Sequence, residues 1–499
     1  MARIVVIGAG LGAMSAAARL AVAGHRVVVY ERGETFGGAV GRVERDGFSF
    51  DTGPGLLHLP AVYRDLFVKT GKEPLEKCVE LSQVEPAVRH VFADGTTADL
   101  PNASRAGVGE ALDTALGAGA GARWSAFMNR AREAWDRTRR PLLEEPLWPN
   151  WEVLADREPY PAVPHKRLLR RERRAATLSE IGELELGGDA RLVALLEQFA
   201  LAQGIDPRTT PASAAVLPYL EQTFGTWSAR GGMRALARAV HERCVARRVE
   251  FVFGATVTRI VENDGKAAGV ELADGTTADA DFVVAGVAPS VLDGMLAGVN
   301  IRSEGDVPAR SGLPSRLTIF LALSGARPAD TPLRTVLHSA DRQDELDRLF
   351  GERPGLPASP TLAVLRPDDP ELTPDAAHEA VTLTATVPAH LEVTAEDVQR
   401  VITRAEAVVP ELRDRLLWHE VRTPADVAEA TGADGGAVPA PALAAAGGRL
   451  LQPSNSTRLP GLFAVGGWAH PGGGLPHAGM SGTLVAGLIV EGPEFRGSQ

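Results

Sequence analysis

The sequence predicts an α/β protein in which a Rossmann-type dinucleotide-binding domain is joined to a discontinuous α+β domain. Three observations predict this fold: a Gly-rich loop after a short apolar strand at the N-terminus, a second Gly-rich segment at residues 466–482, and several strand-like stretches between them. We expect residues 1–60, 221–290 and 441–499 to form the dinucleotide-binding domain. Residues 61–220 and 291–440 would then form the second, substrate-binding domain.

The composition is that of a folded protein with a large core. The 499 residues are 44% hydrophobic, and the 53 glycines and 35 prolines follow no repeat, which indicates many turns. A net charge of −11 disfavours a nucleic-acid partner. The two cysteines predict neither a disulfide framework nor a metal site. Because no secretory signal and no apolar run of about 20 residues is evident, we expect a cytoplasmic protein.

The N-terminal loop has the pattern of a pyrophosphate-binding turn. The strand ARIVVIG runs into a G-x-G-x-x-A loop, and a good helix former, MSAAARLAVAG, follows. Such a loop lets the backbone approach a pyrophosphate, and the helix N-terminus attracts its negative charge. The next strand, HRVVVYE, ends at Glu31, which can accept hydrogen bonds from a ribose hydroxyl. The cofactor contacts predicted here are Gly8, Gly10, Leu11, Gly12, Ala13, Glu31 and Arg32.

A glycine pair soon after Glu31 narrows the class of cofactor. The segment RGETFGGAVGR resembles the extended fingerprint of flavin enzymes in the amine-oxidase and carotenoid-desaturase superfamily. This resemblance implies FAD as the cofactor, with contacts from Gly37, Gly38 and Ala39. Members of the superfamily often carry a basic residue directly after the glycine pair. Ala39 stands there in this chain, so we assign the phosphate contact to Arg42.

Three further segments resemble phytoene desaturases of the bacterial type: residues 47–67 with the motif FDTGP, residues 206–244, and the C-terminal GLFAVGGWAHPGGGLPHAGMSG. In that family the FDTGP segment passes beside the flavin, and the last Gly-rich segment returns to the same cofactor. A strand residue, here Val257, touches the adenine through its backbone. The contacts that this resemblance implies are Gly53, Pro54, Gly55, Leu56, Val257, Gly466, Gly467, Leu475, Pro476, His477 and Met480.

The resemblance also implies that bound flavin carries the chemistry, accepting at N5 a hydride from a lipophilic polyene or isoprenoid. No nucleophile motif and no cluster of metal ligands is evident in the sequence. His58 and His477 lie within motifs expected to line the flavin, and a histidine can act as an acid or base near neutral pH. Simple packing is the alternative for each. We expect a structural or cofactor-positioning role for His470.

Residues 135–175 are interpreted as a membrane-facing or lid segment. They contain Trp135, Trp148, Trp151 and the basic run HKRLLRRERR. Tryptophan beside basic residues suits a lipid headgroup layer, and a lipophilic substrate needs an entrance of that kind. An ordinary solvated helix face is the alternative. The implied partners are a lipophilic small molecule and, if the first reading holds, the inner face of a membrane.

Other functions remain open at this stage. The same flavin machinery could oxidise another secondary metabolite, either at a C–N bond or in a redox-triggered polyene cyclisation. Prenyl-binding escort proteins share the expected fold and carry lipids without redox chemistry. A dehydrogenase that uses nicotinamide alone is compatible with Glu31 but leaves the C-terminal Gly-rich segment unexplained.

Overall fold

The computed structural model describes residues 1–147, 149, 151–164, 172–296 and 313–497. Its first sheet has five parallel strands, whose spatial order is Glu250–Val252, Arg26–Tyr30, Arg3–Ile7, Phe282–Ala285 and Leu462–Ala464. The apolar, β-branched character of these strands is typical of parallel sheets that are covered on both faces. The α/β class with a Rossmann-type sheet is therefore confirmed.

The first β-strand, helix and second strand form as the sequence predicts. The helix Leu11–Val22 begins directly after the Gly-rich loop, and Gly24 follows its end with a φ of 90°. A positive φ is the conformation that a helix commonly needs just past its C-terminus, and glycine adopts it without steric cost.

Two β-hairpins turn at the Asp-Gly pairs of this region. Strand Val257–Asn263 pairs antiparallel with Lys266–Leu272, and this strand pairs antiparallel with Thr277–Asp279. Asp264 and Gly265 both have positive φ in the first turn, as a two-residue hairpin loop requires. This small sheet leads into Phe282–Ala285, a central strand of the first sheet.

A seven-stranded sheet forms the second large layer. Its order is Leu416–Arg422, Pro314–Ser324, His378–Pro388, Leu362–Leu365, Arg334–Leu337, Val88–Val91 and Thr97–Leu100. One face packs on the helix Ala395–Ala405 through a continuous apolar cluster. The domain boundaries stated above stay a prediction, although this sheet and the five-stranded sheet draw on separate parts of the chain.

The remaining elements frame these two sheets. A three-stranded sheet contains Leu57–His58, Thr226–Ala229 and Leu81–Gln83, and two-stranded sheets pair Arg42–Arg45 with Phe48–Asp51 and Val163–Pro164 with Glu172–Arg173. The described α-helices after the first are Ala61–Gly71, Arg105–Leu116, Ala120–Arg139, Glu152–Asp156, Leu178–Leu184, Ala190–Ala202, Val216–Phe224, Met233–Ala246, Pro289–Met295, Arg342–Phe350, Ala395–Ala405, Leu412–Arg415, Pro424–Thr431 and Leu475–Val490.

The two ends of the chain meet where the helix Leu11–Val22 packs against the helix Leu475–Val490. A Cβ atom on Gly12 would lie 2.7 Å from the Cα of Gly466, and one on Gly482 would lie 2.5 Å from the Gly12 carbonyl oxygen. Only residues without a side chain permit so close a crossing. The second Gly-rich segment is therefore brought to the first Gly-rich loop by direct helix packing.

The two described tryptophans of the segment 135–175 pack inward, and the interpretation of this segment as membrane-facing or a lid stays a prediction. Trp135 is buried, with its ring 5.9 Å from Phe224 and 6.3 Å from Tyr219. Trp151 is half-buried against an apolar cluster that includes Leu142 and Leu451. Both rings pack into the protein and are not presented to a headgroup layer. Trp148 and residues 165–171 of the basic run lie outside the described residues. Over the part of the chain that is described, no helix has the length and apolar character to span a bilayer.

Candidate active site

One large cavity of about 950 Å³ lies between the five-stranded and seven-stranded sheets. Its walls include residues from both ends of the chain, among them Ala13 and Pro476. The structure brings together here every predicted cofactor residue except Arg42 and Met480: Gly8, Gly10, Leu11, Gly12, Ala13, Glu31, Arg32, Gly37, Gly38, Ala39, Gly53, Pro54, Gly55, Leu56, Val257, Gly466, Gly467, Leu475, Pro476 and His477. His58 lines the same cavity.

The dinucleotide end of the cavity is built by the N-terminal loop. Glu31 stands at the end of the second strand, and its two carboxylate oxygens accept hydrogen bonds from the amides of Ala9 (2.7 Å) and Gly33 (2.8 Å). Each oxygen keeps a lone pair for a ribose hydroxyl. The position of a Cβ atom on Gly10 has no atom within 4 Å, so the loop offers bare backbone to the cavity. These features fit the adenosine and pyrophosphate portion of a dinucleotide.

A second helix N-terminus faces the cavity from the other end of the chain. The helix Leu475–Val490 starts after Gly474 and carries Pro476 in its first turn. The loop in front of it is held by Asn455, whose side-chain nitrogen donates to the carbonyls of Ala464 (3.1 Å) and His470 (2.8 Å) and lies 3.0 Å from the Ser481 hydroxyl. The Ser481 hydroxyl also accepts from the Gly466 amide (2.9 Å). Free amides at such a terminus suit a flavin carbonyl or phosphate.

Two glycines of this loop, Gly472 and Gly473, pack directly against another backbone segment of the protein. A Cβ on Gly472 would lie 2.6 Å from the Ala440 carbonyl oxygen, and one on Gly473 would lie 1.9 Å from the Pro439 carbonyl oxygen. The space that these glycines leave free is taken by the neighbouring stretch 439–441. Glycine is therefore required at both positions by close packing of two backbone segments.

Arg42 and Met480 do not line the cavity, and the geometry gives no support to their assignment as cofactor ligands. The Arg42 side chain donates to the Gly231 carbonyl and lies 3.6 Å from a Glu44 carboxylate oxygen. Met480 points into the apolar cluster that contains Trp135 and Leu217. Arg32 does line the cavity, but its guanidinium donates to the carbonyls of Glu429 (2.6 Å) and Ala430 (2.8 Å) near the end of the helix Pro424–Thr431.

The far part of the cavity is walled by the seven-stranded sheet and two helices. Side chains that alternate along the strands, among them Thr318, Thr384, Ala363 and Leu365, face the cavity. The opposing wall comes from Ala190–Ala202 and Val216–Phe224, through the apolar residues Phe199, Ala202, Leu217 and Leu220. Because most of this surface is aliphatic or aromatic, it suits an apolar ligand.

Ionisable side chains interrupt this apolar wall, and three of them, His58, Glu221 and Arg334, form one cluster. Glu221 accepts a hydrogen bond from the Arg334 guanidinium at 2.7 Å, and its second carboxylate oxygen lies 3.7 Å from Nε2 of His58. All three line the cavity. Burial alone would raise the pKa of Glu221, but the charged Arg334 guanidinium beside it holds that pKa below its usual value. The carboxylate is therefore ionised at neutral pH.

The candidate catalytic histidines are neutral in this environment. Burial lowers the pKa of His477 to about 4 and also lowers the pKa of His58. A neutral imidazole can accept or donate one proton but carries no charge into the cavity. His470 is fully buried, and its Nε2 lies 3.0 Å from the Glu145 carbonyl oxygen. His470 does not line the cavity, so this contact is consistent with a structural role.

The sequence analysis missed Glu221 and Arg334. They are 113 residues apart and belong to different layers, a helix and the seven-stranded sheet. Glu221 lies within the segment 206–244 that resembles phytoene desaturases, but that resemblance implied no role for it, and Arg334 lies in none of the resembling segments. The available signal was one acidic residue directly after an apolar stretch in VLPYLEQTF, and that pattern is common on amphipathic helices.

A parallel nucleotide-binding sheet, an acid at the end of its second strand and a large apolar chamber beside the dinucleotide end define a dinucleotide-dependent oxidoreductase. The sequence profile of the flavin containing amine oxidoreductases matches residues 14–490 of this chain. The chain belongs to that family. Its cofactor is accordingly FAD, and the residues described above fit this cofactor.

Relatives and solved structures agree with this assignment. A 4,4'-diapolycopene oxygenase from Methylomonas sp is 30% identical over 98% of both chains. A hydroxyneurosporene desaturase from Rubrivivax gelatinosus is 29% identical over 98% of this chain and 93% of its own. An oxidoreductase from Methanosarcina mazei has a similar fold, with a TM-score of 0.60 and 17% identity over 97% of this chain and 99% of its own. The protein is thus an FAD-dependent oxidoreductase of the carotenoid-desaturase type.

Proposed function

We propose that the protein desaturates an acyclic isoprenoid polyene by removing hydrogen from an sp³ carbon pair. The observation that carries this proposal is the apolar chamber, which opens directly onto the loops assigned to the flavin. The names of the similar relatives, which refer to desaturation or oxygenation of linear carotenoids, point to the same substrate class.

Bound FAD would supply the acceptor for a hydride from the substrate. The chain itself would contribute binding and orientation. The walls formed by Phe199, Leu217 and Leu220 hold a long hydrocarbon and exclude water. We propose His58 and His477 as neutral groups beside the reacting carbons, where either imidazole could accept the proton that leaves the neighbouring carbon.

The location of the protein forms part of the same proposal. A substrate of this kind resides in a lipid bilayer, so the enzyme would work in the cytoplasm at the inner membrane face. Trp135 and Trp151 do not provide that contact, since both pack inward. Flotation of the purified protein with anionic vesicles would measure it, and recovery of all protein in the unbound fraction would contradict it.

Anaerobic reduction of the bound flavin tests the reaction. The purified holoprotein is mixed with phytoene, neurosporene or putrescine, and the loss of flavin absorbance is followed. We expect at least one polyene to bleach the flavin and to yield a product that absorbs at longer wavelength, because a new double bond extends the conjugation. Putrescine should leave the flavin oxidised.

The outcomes separate the alternatives. Bleaching by putrescine alone would indicate amine oxidation. Polyene consumption that yields a ring without longer-wavelength absorbance would indicate redox-triggered cyclisation. A protein that binds polyene but never reduces its flavin with any of them would be a carrier. Replacement of both His58 and His477 by alanine, with unchanged reduction rates, would remove the two histidines from the mechanism.

A further inference from the structure

The ion cluster His58–Glu221–Arg334 stands in a chamber whose neighbouring walls are apolar. The side chains of Glu221 and Arg334 are only 13% and 12% exposed, and Leu217 and Leu220 flank the carboxylate on its own helix. Taking charges out of water is costly, and an apolar pair of similar size often stabilises a protein equally well. A buried carboxylate does not improve the binding of a pure hydrocarbon. The presence of this cluster therefore indicates a ligand with a polar group.

The hydrogen bonds of Glu221 are only half complete. One carboxylate oxygen accepts from Arg334 at 2.7 Å, whereas none of the described residues donates a hydrogen bond to the other oxygen. This second oxygen lies 3.7 Å from Nε2 of His58, a separation too long for a direct hydrogen bond. An acceptor and a ring nitrogen thus stand side by side at the cavity wall without bonding to each other.

The spacing of this acceptor and this nitrogen suits a hydroxyl group. An oxygen beside two atoms 3.7 Å apart can lie at hydrogen-bond distance, about 2.8 Å, from both. A hydroxyl donates one hydrogen bond, here to the carboxylate, and accepts another, here from the imidazole N–H. A carbonyl or an ether can accept from His58 but cannot donate to Glu221. A hydrocarbon can neither donate nor accept a hydrogen bond.

We propose that Glu221 and His58 bind a hydroxyl group of the substrate, so that the preferred polyene carries an alcohol and the role of proton acceptor falls to His477. Arg334 acts as a positioning residue, since it holds the carboxylate in place. This inference rests on the proposed function and names the substrate more narrowly. The ligand chemistry is an aliphatic alcohol on an otherwise apolar chain.

A matched set of pigments tests the subsite. The kcat/KM for anaerobic flavin reduction is measured with neurosporene, with hydroxyneurosporene and with the methyl ether of hydroxyneurosporene. We expect the alcohol to exceed both the hydrocarbon and the ether by about tenfold or more, because hydrogen bonds to a charged acceptor give discrimination of that size. Equal values for the alcohol and the hydrocarbon would overturn the proposal.

One variant and one control test whether His58 causes the preference for the alcohol over the hydrocarbon. His58→Leu removes the imidazole and keeps the Glu221–Arg334 pair, so the ratio of alcohol to hydrocarbon should fall about tenfold. The matched control is His338→Leu, which also replaces a buried histidine by leucine but lies outside the cavity wall. Its ratio should equal that of the wild type. A ratio that stays high in His58→Leu would contradict the subsite.

The ratio also separates a binding role from a purely structural one. Loss of folding or of flavin lowers both rates and leaves their ratio unchanged. Failure of all three pigments and of phytoene to reduce the flavin would contradict the proposed function itself. Reduction by hydrocarbon and alcohol alike would contradict only the hydroxyl subsite.

Discussion

The absence of one methyl group at Gly12 determines how closely the two Gly-rich segments can approach. A Cβ atom there would lie 2.7 Å from the Gly466 Cα and 2.9 Å from the Ala478 carbonyl oxygen. Both neighbours are backbone atoms, which cannot rotate away as a side chain can. At the scale of a single residue, the shape of the flavin site therefore depends on the absence of a side chain at Gly12.

We therefore predict that Gly12→Ala separates the first helix from the C-terminal loop. Overpacking of this kind costs about 1–3 kcal/mol in the free energy of unfolding, and the purified variant should retain less FAD. Denaturant titration and the ratio of flavin to protein absorbance measure the two effects. The control is Gly294→Ala, at an exposed helix position with no atom near the added Cβ. Equal effects of the two substitutions would argue against this explanation.

At the scale of elements, Asn455 joins three parts of the chain that build the C-terminal half of the site. Its side chain contacts the strand Leu462–Ala464 through Ala464, the Gly-rich loop through His470, and the last helix through Ser481. Asn455 is fully buried, so no solvent replaces these contacts when they are lost. The position of the loop therefore depends on one amide group.

Replacing this amide should loosen the loop. Asn455→Ala removes the donor from the buried His470 carbonyl and from the part-buried Ala464 carbonyl, which predicts a loss of about 2–3 kcal/mol in stability and weaker binding of FAD. Equilibrium dialysis against FAD and urea unfolding would measure both. Asn129→Ala, on an exposed helix face, is the matched control and should behave as wild type. Wild-type FAD affinity in Asn455→Ala would contradict the positioning role.

At the scale of the whole molecule, several histidines are buried in neutral form. His90 and His338 lie 3.0 Å apart, nitrogen to nitrogen, and both are buried. Burial lowers the pKa of His338 to about 3 and that of His470 to about 4. In the unfolded chain both titrate near 6.5, so unfolding below that pH takes up protons.

Acid should therefore destabilise the protein, because these buried histidines take up protons more readily in the unfolded chain. Stability conferred by a neutral buried histidine is present above pH 6.5 and is lost as the pH falls toward 4, by up to about 3 kcal/mol for His470. We predict that the urea midpoint falls between pH 7 and pH 5. This fall should be smaller in His470→Gln and unchanged in His419→Gln, which alters an exposed histidine. A flat profile in the wild type would refute the prediction.

Local patterns predicted much of this molecule, because neighbouring residues determine them. The first loop forms as expected, and the turns at Asp264-Gly265 and Asp274-Gly275 and the strands Pro314–Ser324 and His378–Pro388 follow local patterns of the same kind. Each of these depends on turn chemistry or on the spacing of apolar residues over a few positions.

Contacts between distant parts of the chain could not be predicted in this way. Strand Val88–Val91 pairs with Arg334–Leu337 across more than 240 residues, and this pairing places Arg334 beside Glu221. Trp135 appeared surface-exposed in the sequence because its partners, Phe224 and Tyr219, are recruited from another helix. Arg42 was assigned to a phosphate, but the Gly231 carbonyl takes up its guanidinium.

The packing of the first helix against the last helix also determines when the site can form during translation. The residues that close over the loop at Gly8–Ala13, 466–482, are synthesised some 450 positions after it. At translation rates of about 5–20 residues per second, that interval lasts roughly half a minute or more. During this time the nascent N-terminal strands and helix expose an apolar surface. We therefore expect chaperones to protect the nascent chain before FAD binds.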